Sequence, residues 1–229
     1  MTNSPTTPEP STYAGIAIFG PWGVGKDYFL GRLEAACVEA GIPARVESFG
    51  RYFYEVLAAR EGCTVEDIIR EKPRHRAALQ ALGLDPSHQN AATDALCARL
   101  KKHDGLPGGA PFFLIQGRRA VEVAAMRQCG IYTLGVTAPL EVREARILRR
   151  DGQPLSESER LAATEVDPRN LDCDGVYDNT GAMRLEIDKK EGILRIENEE
   201  GYSVVVRSQH FCPIDLEGGP SRAHFNAHL

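Results

Sequence analysis

Short unbroken apolar runs alternate along this chain with apolar residues at helical spacing. Ile16-Ala17-Ile18-Phe19, closed by Gly20, predicts a buried strand. From Lys26 to about Ala40, residues Phe29, Leu30, Leu33, Ala36 and Cys37 fall on one helical face, and Gly41 and Pro43 end the helix. Arg45 to Phe49 predicts a second strand, so a strand-loop-helix-strand unit opens the chain, as a parallel α/β sheet requires.

Residues 51–103 read as mostly helical, with Thr64 and Asp67 spaced as a capping box. A turn cluster over 104–111 leads to a third strand at Phe112–Ile115. Then come a helix from Arg119 to Gln128, a fourth strand at Ile131–Val136 and a helix from Leu140 to Arg150 that ends in Asp151-Gly152. A further helical segment spans Ser156–Thr164, and Gly175–Asp178 predicts a fifth strand.

After Gly181 the period changes to two. Arg184–Asp188, Ile193–Glu197 and Ser203–Arg207 alternate apolar and polar residues around the turns KKEG and NEEG, which predicts a small antiparallel meander. The expected organisation is a tail over 1–13, disordered by its Pro/Ser/Thr content, an α/β domain over 14–183, and the meander with a loose end over 184–229.

Composition changes this picture little. The 229 residues suit one domain with a small appendage, and a net charge of -5 does not advertise nucleic-acid binding. The six cysteines are scattered without a CxxC pair, as expected of reduced thiols. The start lacks the basic and apolar regions of a signal peptide, and no apolar run approaches membrane-spanning length, so the expected location is the cytoplasm, without a membrane partner. His210, Cys212, His224 and His228 match no standard zinc spacing, and no metal is assigned to them.

The chemistry begins at Gly20-Pro21-Trp22-Gly23-Val24-Gly25-Lys26-Asp27. Gly20, Gly23 and Gly25 let backbone amides turn inward around a phosphate, the following helix adds its dipole, and Lys26 would reach the β and γ phosphates of a bound nucleotide. The loop follows a predicted strand and opens a predicted helix, the context such a motif requires. Its last position carries Asp27 where Ser or Thr is usual. Trp22 can stack on a base or pack against a lid. The third strand runs into Gln116-Gly117, not into the acidic residue that a switch or motor NTPase uses for magnesium, and no NKxD-like base-reading motif is present. Arg143, Arg146, Arg149 and Arg150 recur at helical spacing, either as a solvated charged face or as a lid over a transferring phosphoryl group, and the phosphate loop favours the lid.

The segments GKD, EKPRHRAALQALG (71–83), QGRRAVE (116–122), TAPLEVREARILRRDG (137–152) and GVYDNTG (175–181), taken in order, resemble phage-type deoxynucleoside monophosphate kinases, P-loop nucleotide kinases related to dephospho-coenzyme A kinase. The resemblance spans about residues 14–185. It implies a P-loop kinase fold of three α/β/α layers, with a five-stranded parallel sheet and a helical lid. It also implies ATP and magnesium as donor and a nucleoside monophosphate as acceptor. The loop and Lys26 would hold the ATP phosphates, Asp27 would act near magnesium through water, and Asn179 would lie beside the donor base. Arg76, Gln80, Arg118 and Glu122 fall in acceptor segments, and Arg146 and Arg150 match lid arginines. Gln116 stands where the family carries Asp, which points to an altered acceptor site, and the meander is an addition. The leading expectation is phosphorylation of a nucleoside monophosphate. The alternatives are phosphorylation of a hydroxymethylated base in DNA and non-catalytic nucleotide binding with the meander as an interaction module. A homodimer is an open possibility.

Overall fold

The computed structural model describes residues 13–103, 110–154 and 166–212. Five strands form one parallel sheet: β1 (Gly15–Phe19), β2 (Ala44–Ser48), β3 (Phe112–Gly117), β4 (Ile131–Thr137) and β5 (Gly175–Asp178), in the order β2-β3-β1-β4-β5. Between them run α1 (Lys26–Glu39), α2 (Gly50–Glu61), α3 (Val65–Arg70), α4 (Lys72–Leu84), α5 (Pro86–Lys101), α6 (Ala120–Gln128) and α7 (Leu140–Asp151). The sequence-predicted strands and the helices within described residues all form. The segment expected to be helical over 156–164 lies outside the described residues.

A parallel sheet is covered on both faces, so its strands read as continuous apolar runs and not as alternation. Ile16 and Ile18 of β1 face one layer with Phe29, Leu33 and Cys37 of α1. Ala17 and Phe19 face the other with Leu96 and Leu100 of α5 and Val123 and Met126 of α6. The buried set of α1 repeats every three or four residues from Lys26 through Cys37, which is why this helix lies flat on the sheet. The predicted helical stretch 51–103 divides into α2 to α5, whose Phe53, Leu57, Ala58, Ile68, Leu82 and Ala92 make a third, separate apolar cluster. Thr64 caps α3 with the reciprocal Asp67 bonds that its sequence spacing predicts.

The meander forms a second sheet, β6 (Met183–Asp188), β7 (Ile193–Asn198) and β8 (Ser203–Arg207), in the order β6-β7-β8 with antiparallel pairing. Its apolar face has no core of its own. Met183, Leu194, Ile196, Val204 and Val206 join the cluster of α1 and the main sheet. Tyr13 N–H donates to Arg207 C=O at 2.9 Å, and the Ser208 hydroxyl donates to Tyr13 C=O at 2.5 Å, which ties the meander to the entry of β1.

The strand order sets where a ligand can sit. From β1 the chain moves outward to β2, returns through β3 beside β1, then crosses to β4 on the other flank. At such a reversal the connections leave a crevice above the C-terminal strand ends, the place where open α/β sheets bind ligands. The glycine-rich loop after β1 occupies that crevice.

Candidate active site

The loop folds as its glycines dictate. Gly23 and Gly25 take φ of 74° and 93°, a region open to glycine and strained for other residues. Their hydrogens are also required by contact. A Cβ on Gly23 would lie 2.5 Å from the Arg143 carbonyl oxygen, and one on Gly25 would lie 2.8 Å from Asn179 Nδ2. Lys26 is buried, and its Nζ donates to the carbonyls of Gly20 (2.5 Å) and Pro21 (3.0 Å), so the ammonium is held over its own loop. Val24 is fully buried and anchors the loop in the core.

Two arginines of α7 grip this loop from the far side. Arg143 Nε donates to Trp22 C=O at 2.7 Å. Arg146 donates from Nη1 to Val24 C=O at 3.2 Å and from Nη2 to Asn179 C=O at 2.7 Å, while Asn179 Nδ2 also donates to Val24 C=O at 2.8 Å. Partial burial lowers the Arg146 pKa from its ordinary value, with Asp178 acting the other way. The four arginines expected along one face thus divide. Arg143 and Arg146 brace the loop, Arg150 lines the cleft, and Arg149 is exposed.

Register places Gln116 of β3 beside Ile18 and Gly117 beside Phe19, directly under the loop. A Cβ on Gly117 would meet the Phe19 ring at 2.3 Å, which accounts for that glycine. Gln116 Nε2 donates to Asp27 Oδ1 at 2.8 Å, so the amide fixes the exposed carboxylate at the loop mouth. The donor set suits a hydrated hard cation: an anionic oxygen from Asp27, steadied by a neutral amide whose own carbonyl oxygen can take a further water.

The cleft in front of the loop has a volume of about 1270 Å³. Its far wall comes from α2, α4 and the turn after β3. Glu122, buried at the start of α6, accepts from the backbone N–H of Arg118 (2.6 Å) and Arg119 (3.0 Å) and so fixes that turn. Burial raises the Glu122 pKa, and those donors pull it back. Arg76 and Arg118 lie over the Trp22 ring at 5.6 and 5.3 Å, Arg119 over Phe53 at 5.5 Å, and Lys72 over Tyr54 at 5.8 Å. Gly83 leaves room for Arg119, since a Cβ there would lie 2.7 Å from Arg119 Nη2. At the α7 end, Arg150 pairs with Asp151 at 2.7 and 2.8 Å, and that bond holds the Asp151 carboxyl below its usual range.

Most of the residues singled out in the sequence converge here, Arg149 excepted and Arg143 only through its hold on the loop. Pro21, Trp22, Gly23, Gly25, Lys26 and Asp27 line the cleft on the loop side, with Arg146, Arg150 and Asn179. Arg76, Gln80, Gln116, Arg118 and Glu122 line it opposite, and Gly20 and Val24 support the loop from behind. Sequence reasoning passed over Lys72, Arg119, Phe53 and Tyr54, whose signal was the aromatic run RYFYE after β2 and the basic start of α4.

The strand order, the loop between β1 and α1 and the flanking helices define the class: a P-loop kinase fold of three α/β/α layers, extended by the small antiparallel sheet. No family model and no curated protein matches the chain. Among solved structures it is similar to a gluconokinase from Sinorhizobium meliloti 1021, at 16% identity over 73% of this chain and 83% of that one, with a TM-score of 0.44. It is also similar to the tunicamycin resistance protein of Deinococcus radiodurans, at 18% identity, 72% and 87% coverage and a TM-score of 0.44. For a shikimate kinase from Acinetobacter baumannii the values are 15%, 75%, 87% and 0.41.

Proposed function

We propose that the protein is an ATP-dependent phosphotransferase whose acceptor is the phosphate of a (deoxy)nucleoside monophosphate, giving the diphosphate. One observation carries this reading: the cleft opposite the loop is lined by Lys72, Arg76, Arg118 and Arg119. A hydroxyl acceptor must lose a proton on attack, which calls for a positioned base. Of the three carboxylates in the cleft among the described residues, Asp151 is paired with Arg150, Glu122 holds two backbone amides of the wall, and Asp27, steadied by Gln116 through Oδ1, is the one that would face magnesium. A phosphomonoester dianion needs no base, because its oxygen is already anionic. It needs cations, and guanidinium groups bind it through paired N–H donors.

In this account an acceptor phosphate oxygen attacks the γ-phosphorus of ATP as the bond to the β,γ-bridging oxygen breaks, and ADP leaves. The loop amides and Lys26 hold the donor phosphates, and Arg150 faces the charge that spreads over the transferring group. Asp27, oriented by Gln116, would hold magnesium through water, and the metal would neutralise charge on the outer phosphates. The aromatic wall of Phe53 and Tyr54 suits a planar base. The same reasoning disfavours a hydroxymethylated base in DNA, whose oxygen must be deprotonated.

The test is a turnover screen with ATP and magnesium against the common ribo- and deoxyribonucleoside monophosphates, duplex DNA containing 5-hydroxymethyl bases, and dephospho-coenzyme A. ADP release that depends on a monophosphate supports the reading. Release that depends only on DNA or on a hydroxyl acceptor rejects it.

A further inference from the structure

Trp22 is the only tryptophan in the chain, and it sits inside the phosphate loop. Its backbone carbonyl is tied to α7 through Arg143 Nε at 2.7 Å. Its ring lines the cleft, with the guanidinium carbons of Arg76 and Arg118 at 5.6 and 5.3 Å from the ring centre. These two arginines come from α4 and from the turn after β3, elements far apart in sequence from each other and from the loop. One residue therefore joins the α7 brace, through its carbonyl, to both sides of the basic wall, through its ring.

From this geometry we infer that Trp22 is a positioning residue for the acceptor, and that its ring holds Arg76 and Arg118 where they clamp the acceptor's phosphate. The inference rests on the phosphotransferase reading above and assigns the loop a second task beyond donor binding. A guanidinium is attracted to the face of an indole, the strongest of the aromatic partners. Its N–H edge stays available for paired bonds to a phosphate. Arginine side chains carry much rotamer freedom, and a contact that restricts it in advance lowers the cost of ordering them on binding. Because the ring belongs to the loop, the clamp also sits at a fixed place relative to the donor phosphates, which in-line transfer requires.

The test has two arms. In the first, Trp22→Leu removes the aromatic face while Trp22→Phe keeps a weaker one. With the indole contact to the two guanidinium groups removed, the acceptor KM should rise about 5- to 30-fold in the Leu variant, with the Phe variant between it and the wild type. ATP affinity, measured by calorimetry, should change much less. Equal loss of ATP and acceptor binding, or a Phe variant no better than Leu, overturns the inference and makes Trp22 a general support of the loop. The second arm needs no turnover. Emission of the single tryptophan is followed while nucleoside monophosphates, and separately inorganic phosphate, are titrated without ATP. A saturable change, lost in Arg76→Ala and in Arg118→Ala, supports the clamp. Binding seen by calorimetry with emission unchanged overturns it, and so does an absence of any binding. If no monophosphate is turned over but emission still responds through both arginines, the phosphotransferase reading fails while the anion clamp at Trp22 stands.

Discussion

Arg146 touches the backbone of two segments at once, Val24 of the loop and Asn179 after β5. The sequence marks it as one of four arginines at helical spacing, and the resemblance makes it a lid residue that acts on the transferring phosphoryl group. In the structure its donors are directed at carbonyls of the protein, which suits it to holding the loop closed around the donor phosphates. Arg146→Lys keeps the charge and loses the fork that spans two carbonyls. Loss of one hydrogen bond from a charged group costs about 1.5–3 kcal/mol, so the Kd for ATP should rise roughly 10- to 100-fold. Calorimetric titration of ATP checks this. Unchanged ATP binding with a reduced kcat would return Arg146 to a role in the transition state alone. At this scale the loop, Lys26 and Asp27 were legible, because the motif states its chemistry in consecutive residues. Lys72, Arg119, Phe53 and Tyr54 were not. They meet the loop only through the packing of α2 and α4, and no local spacing encodes that approach. Gln116 could be read as a departure from a pattern, but its bond to Asp27 depends on strand register.

At the scale of elements, apolar runs and helical periods located the strands of the main sheet and the helices within described residues, and Thr64 with Asp67 marked the start of α3. The meander was legible as three alternating strands. Alternation says that one face is buried but not against what, and the answer is the α1 layer of the main domain. Ile196 of β7 is fully buried in that shared cluster. Ile196→Ala should therefore lower the stability of the whole protein by about 2–5 kcal/mol, in one cooperative denaturant transition. Two transitions, with the larger one unmoved, would show the meander to be an appendage. Asn198 Nδ2 donates to Asp178 C=O at 3.2 Å and Tyr177 hydroxyl to Glu197 C=O at 3.2 Å, so the added sheet also steadies the end of β5 that carries Asn179.

For the whole molecule, composition was the least informative reading. A net charge of -5 conceals a cleft in which seven lining cations face three carboxylates. Such a concentration of one sign in a concave site draws anionic substrates toward it whatever the net charge. Strand order was likewise hidden, since apolar runs do not say which strands are neighbours. The order β2-β3-β1-β4-β5 is what brings the ends of β1 and β3 together, and with them the loop and Gln116. Among the described residues no helix is long and apolar enough to cross a membrane. The central claim is that the oxygen accepting the phosphoryl group is already anionic and belongs to a phosphate. Phosphorus NMR of the reaction between ATP and a nucleoside monophosphate, with magnesium, tests it most directly, because a phosphoanhydride and a phosphate ester give distinct signals and couplings. A coupled pair of resonances from a new nucleoside diphosphate should appear in step with ADP. A new phosphomonoester resonance, with the acceptor's own phosphate unaltered, would contradict it.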